Sequence, residues 1–317
     1  PPLACLLRAL LAIGSCLDDA RVRLLPGDAR VRLLPGDARV RQQRTMLRFR
    51  CHCGDCAAET SADNVERRDC HCSHCRHHHV HHLQASFAVA AWTQVAVTKA
   101  NVKRIADECE MYGPVTRYRC RRCGASLAAI DKNGQSLLSL GCLEDASLPL
   151  RVAKSWKANS VADETTVRAT RNRKTRRSAP QRLRGGCACG GCRFVATAVD
   201  AIELQHCYCE TCRRASGSIG QTWVPLQTSD VTWKQTRLLD EYRYTSHATR
   251  HRCAGCGGVL TIRYDDSPEE LWVAAGAIDD ASLKRARVDG VSHICVAQKP
   301  RWYRLPDDGM PRIRGAS

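Results

Sequence analysis

Apolar and polar positions alternate over short stretches of this chain. Residues 193–199 alternate as a half-buried strand does, and residues 221–224, 231–234, 241–245, 259–264, 271–275 and 292–297 are further strand candidates. Turns rich in Gly and Asp separate them, as at Asp265-Asp266-Ser267-Pro268. The same character appears earlier, in residues 87–97, 115–120, 126–130 and 136–140. Long stretches with the 3.6-residue period of an amphipathic helix are missing, so the pattern predicts an all-β protein built from two sets of strands. No run of 18 apolar residues occurs, and no membrane span is predicted. Residues 3–13 are apolar, but Arg8 interrupts them and they make a poor signal peptide.

Cysteines punctuate both sets of strands in the same order. In the second set, Cys187-x-Cys189 is followed by Cys207-Tyr208-Cys209-Glu210-Thr211-Cys212 and then by Cys253-x2-Cys256. In the first, Cys51-x-Cys53 precedes Cys70-His71-Cys72-Ser73-His74-Cys75, and Cys120-x2-Cys123 comes last. The intervening lengths are 16 and 17 residues, then 44 and 40. The chain is a tandem repeat of a seven-cysteine module. Twenty-one cysteines is an odd number in a chain of 317 residues, and C-x-C and C-x2-C pairs are too close to make useful cross-links. They converge naturally on one ion, so bound zinc in a reducing compartment is the expectation rather than a disulfide framework.

The formal net charge of +17 is unevenly spread. Residues 1–44 contribute +4 and residues 151–184 contribute +9, which leaves little for the modules themselves. Residues 21–29 (RVRLLPGDA) repeat verbatim as 30–38, a period too short for a solenoid unit. The expectation is a repetitive segment 1–45, disordered or extraneous to a protein that begins at Met46. The first domain is then 46–158, a basic linker 159–181, and the second domain 182–314. The linker lacks apolar periodicity and reads as solvated chain. Lys174, Arg176 and Arg177 within it form a candidate nuclear-localisation patch. The expected compartment is the cytoplasm, or the nucleus if that patch is used.

Seven cysteines divide into four plus three. A structural zinc takes four ligands, whereas a catalytic zinc keeps one position open. Cys187, Cys189, Cys253 and Cys256 can close a structural site, as can Cys51, Cys53, Cys120 and Cys123. Cys207, Cys209 and Cys212 then supply three thiolates to a second ion, as do Cys70, Cys72 and Cys75. A thiol taking the open position would lose its proton and become a nucleophile. A pair of ordinary zinc ribbons with spare cysteines remains the plainer alternative.

The order C-x-C-G, C-x-C-x2-C-R and R-x-x-C-x2-C-G resembles the Gfa/CENP-V family, that of the glutathione-dependent formaldehyde-activating enzymes and centromere protein V. The second module carries it in Cys187-Ala188-Cys189-Gly190, in Cys207 to Arg213, in Gly217 and in Arg250-His251-Arg252-Cys253-Ala254-Gly255-Cys256-Gly257. Gly276-Ala277-Ile278-Asp279-Asp280, His293 and Trp302 match later family positions. The resemblance implies tandem β-tent domains with two zinc ions each, four per chain. It also implies glutathione as co-substrate at the Cys207, Cys209 and Cys212 zinc. The activity it implies is that of a carbon–sulfur lyase joining formaldehyde to glutathione as S-hydroxymethylglutathione.

The first module departs from this pattern. After Cys75 it reads Arg76-His77-His78-His79-Val80-His81-His82, and it ends near Trp156 with no counterpart to the segment around His293. A missing or donated strand is therefore expected. Either a His of that run fills the open zinc position or the run is a solvated loop. Cys56 and Cys192 are read as packed, and Cys5, Cys16, Cys109, Cys142 and Cys295 as buried hydrophobes or disordered thiols outside the pattern. Arg213, Arg214 and Arg250 are candidates to pair with glutathione carboxylates or to sit on the surface. His293 is read as a satisfied core histidine before a proton carrier. The competing function is a non-catalytic zinc scaffold that meets nucleic acid or chromatin through the basic linker. Only 3 Phe, 6 Trp and 7 Tyr are available for base stacking, which disfavours a dedicated nucleic-acid reader.

Overall fold

A computed structural model describes residues 46–61, 65–79, 85–91, 96–97, 101–109, 112–144, 152–156 and 180–315. The repetitive segment, residues 159–179 of the linker, and His81 and His82 lie outside them. The first module contains β1 (Met46–Arg50), β2 (Ala57–Ser61), β3 (Glu66–Cys70), α1 (Ser73–His79), β4 (Ala85–Ala91) and β5 (Ala96–Val97). It continues with β6 (Val102–Cys109), β7 (Gly113–Cys120), β8 (Ser126–Asp131), β9 (Gln135–Ser139) and β10 (Val152–Trp156). The second contains β11 (Gln181–Gly186), β12 (Arg193–Val199), β13 (Ile202–Cys207), α2 (Glu210–Ser216), β14 (Gln221–Gln227) and β15 (Val231–Gln235). There follow β16 (Leu239–Thr245), β17 (Ala248–Cys253), β18 (Val259–Tyr264), β19 (Glu270–Ala274), α3 (Asp280–Arg285) and β20 (Val288–Ile294).

Each module pairs a three-stranded sheet with a seven-stranded one. The orders are β1-β2-β5 with β10-β3-β4-β9-β8-β7-β6, and β11-β12-β15 with β20-β13-β14-β19-β18-β17-β16, so the two topologies coincide strand for strand. This is the expected all-β fold of tandem β-tent modules. Alternation decides which faces pack. In β1, Leu47 and Phe49 are fully buried between exposed Met46, Arg48 and Arg50, each buried side chain contributing about 1.5–3 kcal/mol. In β12, Phe194 and Ala196 are fully buried and join Leu183, Val224, Leu260, Val273 and Ile278 in the second core.

Three expectations change in the structure. The strand expected over 87–97 is two strands in different sheets, with β4 in the larger and β5 in the smaller. A continuous apolar run hides such a crossing because both halves look alike. The strand expected over 292–297 begins earlier and stops at Cys295, whose φ of 56° turns the chain out of extended geometry. Finally, the first module lacks no strand. β10 lies parallel to β3 with Trp156 opposite Cys70, just as β20 lies parallel to β13 with Ile294 opposite Cys207. Backbone pairing needs no His, so the motif could vanish while the strand remained.

The described residues from 46 to 315 belong to one compact unit, and the modules touch through reciprocal contacts like those of an isologous dimer. α2 packs on the 3-10 turn Leu140–Cys142 of the first module, and α1 on the turn Ala275–Ala277 of the second. The Gly141 N–H donates to Gly217 O at 3.2 Å, and Arg76 pairs with Asp280 at 2.8 Å. Arg252 Nη1 donates to Arg122 O at 2.6 Å, while Lys103 Nζ donates to Ala254 O at 2.8 Å. Tyr208, Ala215, Ile219, Trp302 and Tyr303 of the second module enter the core built on Leu47, Phe49, Leu127 and Leu138 of the first. Arg67 Nη1 donates to Trp302 O at 2.7 Å, and its guanidinium lies 4.7 Å above the indole.

Close backbone approach makes Gly141 the tightest point of this contact: a Cβ there would lie 2.2 Å from Ser218 O and 2.4 Å from Arg213 O. Gly141→Ala is expected to lower stability by about 1–3 kcal/mol in urea denaturation, as overpacking does. At Gly290 the nearest atom to an added Cβ is 3.7 Å away, and Gly290→Ala is expected to leave stability unchanged or raise it by about 0.4–1 kcal/mol.

Candidate metal centres

Two turns build each outer centre. In the second module the Cys187 N–H donates to Cys192 O and the Gly190 N–H to Cys187 O, with Gly190 at φ 74°. Facing it, the turn after β17 is closed by the Gly257 N–H on Cys253 O. The first module repeats the pattern with the Cys51 N–H on Cys56 O and the Gly124 N–H on Cys120 O. These turns bring Cys187, Cys189, Cys253 and Cys256 together, and likewise Cys51, Cys53, Cys120 and Cys123, each set with all Sγ atoms within 4.8 Å of one another. Contacts such as Cys189–Cys253 at 3.5 Å and Cys53–Cys120 at 3.5 Å are far longer than a disulfide of about 2.05 Å. They approach the edge of about 3.8 Å of a tetrahedron with metal–sulfur bonds of about 2.3 Å. Every cysteine among the described residues is a free thiol. Backbone N–H groups aim at the sulfurs: Cys192 N–H donates to Cys187 Sγ and Cys56 N–H to Cys51 Sγ, both at 3.2 Å. Donors so placed favour thiolate, and the donor sets fit zinc. Cys56 and Cys192 thus serve through their backbone and fall outside the four-sulfur sets.

In the second module Cys207 ends β13, Cys209 caps α2 and Cys212 lies in its first turn. Their Sγ atoms form a set of three within 4.8 Å. Cys209 Sγ accepts from the Cys212 N–H at 3.3 Å. Arg250 Nη2, buried on β17, donates to Cys212 Sγ at 3.6 Å, while Nη1 donates to Gln221 Oε1 at 2.5 Å and the guanidinium lies over Trp223. Hydrogen bonds from Cys207 and Cys209, and then the charge of Arg250, hold the Cys212 thiol well below its ordinary pKa against the cost of burial. Cys295 Sγ lies 3.9 Å from Cys207 Sγ but outside the mutual reach of the three.

The first module differs. Cys70, Cys72 and Cys75 are joined by Cys109 in a buried set of four. Cys109 is buried as expected, but its Sγ lies with the three of this cluster rather than outside the pattern. The described part of the histidine run, His77 to His79, is not a solvated loop either, because it belongs to α1, which buries His78 and His79. Neither points to the sulfurs: His78 Nε2 donates to Asp107 Oδ2 at 2.9 Å, and His79 Nδ1 meets Ser216 O at 2.9 Å across the interface. His77 Nε2 is 3.7 Å from Asp280. Burial, then Arg117, pushes the His78 pKa down to about 4 in spite of Asp107.

The remaining candidates are placed as follows. Arg214 pairs with Glu210 at 2.8 Å, one helical turn away. Arg213 is buried, and its Nε has no partner among the described residues. His293 is fully buried, with Nε2 on Asp308 at 2.9 Å and Nδ1 on the Tyr208 hydroxyl at 2.8 Å, which makes it the satisfied core histidine expected. Asp107, Tyr208 and Asp308 carried no sequence signal because their partners are distant in the chain. Cys109 carried one only as an unpaired thiol.

The family model of glutathione-dependent formaldehyde-activating enzymes matches residues 46–159 and 182–297. No curated protein matches. A crystal structure of a Rhodobacter sphaeroides protein is similar over 41% of this chain and 98% of its own, at 18% identity and a TM-score of 0.24.

Cys123 Sγ belongs to an outer set while Cys192 Sγ does not. Cys123→Ser is expected to lose one bound metal ion per chain and to lower the melting temperature, whereas Cys192→Ala keeps full metal content. Metal analysis of the purified variants, with thermal melts, checks both.

Proposed function

The chain belongs to the family of glutathione-dependent formaldehyde-activating enzymes, and from that premise we propose that its second module is a zinc-dependent carbon–sulfur lyase acting on a glutathione–aldehyde adduct. The observation that carries this reading is the set of three thiols, Cys207, Cys209 and Cys212, with no fourth sulfur among the described residues in common reach. A zinc ion held by three thiolates supplies a free coordination position and lowers the pKa of a thiol that takes it.

The chain's own residues support that chemistry. The N–H of Cys212 and the guanidinium of Arg250 stabilise negative charge on the sulfurs. Gln221 and Trp223 hold that guanidinium in place. Arg213, buried beside Cys212 with an unpartnered Nε, is suited to a substrate carboxylate. In the forward direction the glutathione sulfur attacks the carbonyl carbon of the aldehyde. A carbon–sulfur bond forms as the carbonyl π bond breaks, and the oxygen takes up a proton to give the hydroxymethyl thioether. The reverse step removes that proton and expels the thiolate.

Because the modules share a core, the test uses the whole chain. Calorimetric titration of the zinc-loaded protein should show glutathione binding that S-methylglutathione cannot reproduce and that Cys209→Ser abolishes. Equal binding of the methylated analogue would remove the sulfur from the centre and with it the proposed mechanism. Arg250→Gln is expected to cost about 10–100-fold in adduct formation or in metal affinity, as removal of an outer hydrogen bond to a metal ligand does, read by assay of the aldehyde and by metal competition.

A further inference from the structure

We propose that Cys109 is the fourth thiolate of a saturated metal centre in the first module, so that the two repeats differ in coordination: closed in the first, open in the second. The geometry is that of a ligand set. Cys70 Sγ lies 3.4 Å from Cys72 Sγ, and Cys109 Sγ lies 3.9 Å from Cys72 Sγ and 3.6 Å from Cys75 Sγ. These values bracket the sulfur–sulfur edge of about 3.8 Å of a tetrahedral tetrathiolate. All four side chains are at most 2% exposed, and four buried thiols around one point are a poor apolar cluster but a good cage for a soft dication.

The rest of the first module is arranged around this closure. Cys109 ends β6, which runs eight residues where its counterpart β16 runs seven, and β16 carries no cysteine. Two residues back on β6, Asp107 Oδ2 accepts from Arg117 Nε at 2.6 Å, and Arg117 Nη2 donates to Cys75 Sγ at 3.6 Å. The strand that delivers the fourth sulfur thus also orients the arginine that serves the third. In the second module the nearest extra sulfur, that of Cys295, comes from the opposite edge of the sheet, after β20, and approaches Cys207 without reaching the whole set. A closed first centre pins the edge strand β6 to β3 and α1, and it offers no position to a substrate thiol unless Cys109 leaves. The inference holds whether or not the second module is a lyase.

The experiment is ¹¹³Cd NMR of the full chain loaded with cadmium. Three resonances in the tetrathiolate range and one in the trithiolate range are expected. Cys109→Ser should move one tetrathiolate resonance into the trithiolate range and make one ion per chain at least tenfold faster to extract with a chelator. Two resonances of each type in the unaltered chain would overturn the proposal. A folded Cys109→Ser protein with unchanged spectrum and unchanged extraction would do the same. Four tetrathiolate resonances, one of them sensitive to Cys109→Ser, would support the closed first centre and instead remove the open position required of the second. Cys109→Ala serves as a second variant should the serine protein fold poorly, with the same shift expected.

Discussion

Convergence of thiols from turns far apart in the chain is the constraint on which this protein rests. Cys51 and Cys53 follow the first strand of a small sheet, and Cys120 and Cys123 lie in the turn between β7 and β8 of a large one. Those sulfurs come within 4.8 Å of one another, which ties the small sheet to the large one beside the apolar core. The same holds for Cys187, Cys189, Cys253 and Cys256 in the second module. Backbone N–H groups that point at Cys51 and Cys187 show that the turns themselves are shaped to receive thiolate.

Duplication then supplies the second organising feature. Each helix after a C-x-C-x2-C cluster rests on a 3-10 turn of the other module, and Gly124 and Gly257, equivalent positions, approach each other's carbonyls at the contact between the modules. The contact is apolar as well as polar, since Trp302 and Tyr303 complete the core of the first module. A substitution in one module is therefore felt in both. The three-thiol set of the second module is housed in a structure that the first helps to stabilise.

Much of this was legible in the residues. The boundaries of β12 and β18 follow from alternation and β-branched content, because a half-buried strand imposes its period locally. The strands β3, β6 and β13 were not foreseen. Glu66, Arg67, Arg68 and Asp69 in β3, and Lys103, Arg104, Asp107 and Glu108 in β6, give a polar sequence its strand geometry through pairing and ion pairs rather than through apolar periodicity. The crossing from β4 to β5 was invisible for the converse reason, since both strands read as one apolar run.

By itself the sequence determined that two seven-cysteine modules stand in tandem, that they are built of strands, and which cysteines share a turn. Those features depend on local spacing: C-x-C and C-x2-C place sulfurs side by side whatever the rest of the chain does. The sequence did not determine that Cys109 joins Cys70, Cys72 and Cys75, that the histidines of α1 bond to Asp107 and Ser216 instead, or that the modules share one core. Cys109 is 34 residues from Cys75, and only the pairing of β6 with β7 in the large sheet carries it there. Contacts of that kind depend on sheet register and on the packing of one repeat against the other, and only the tertiary structure decides them.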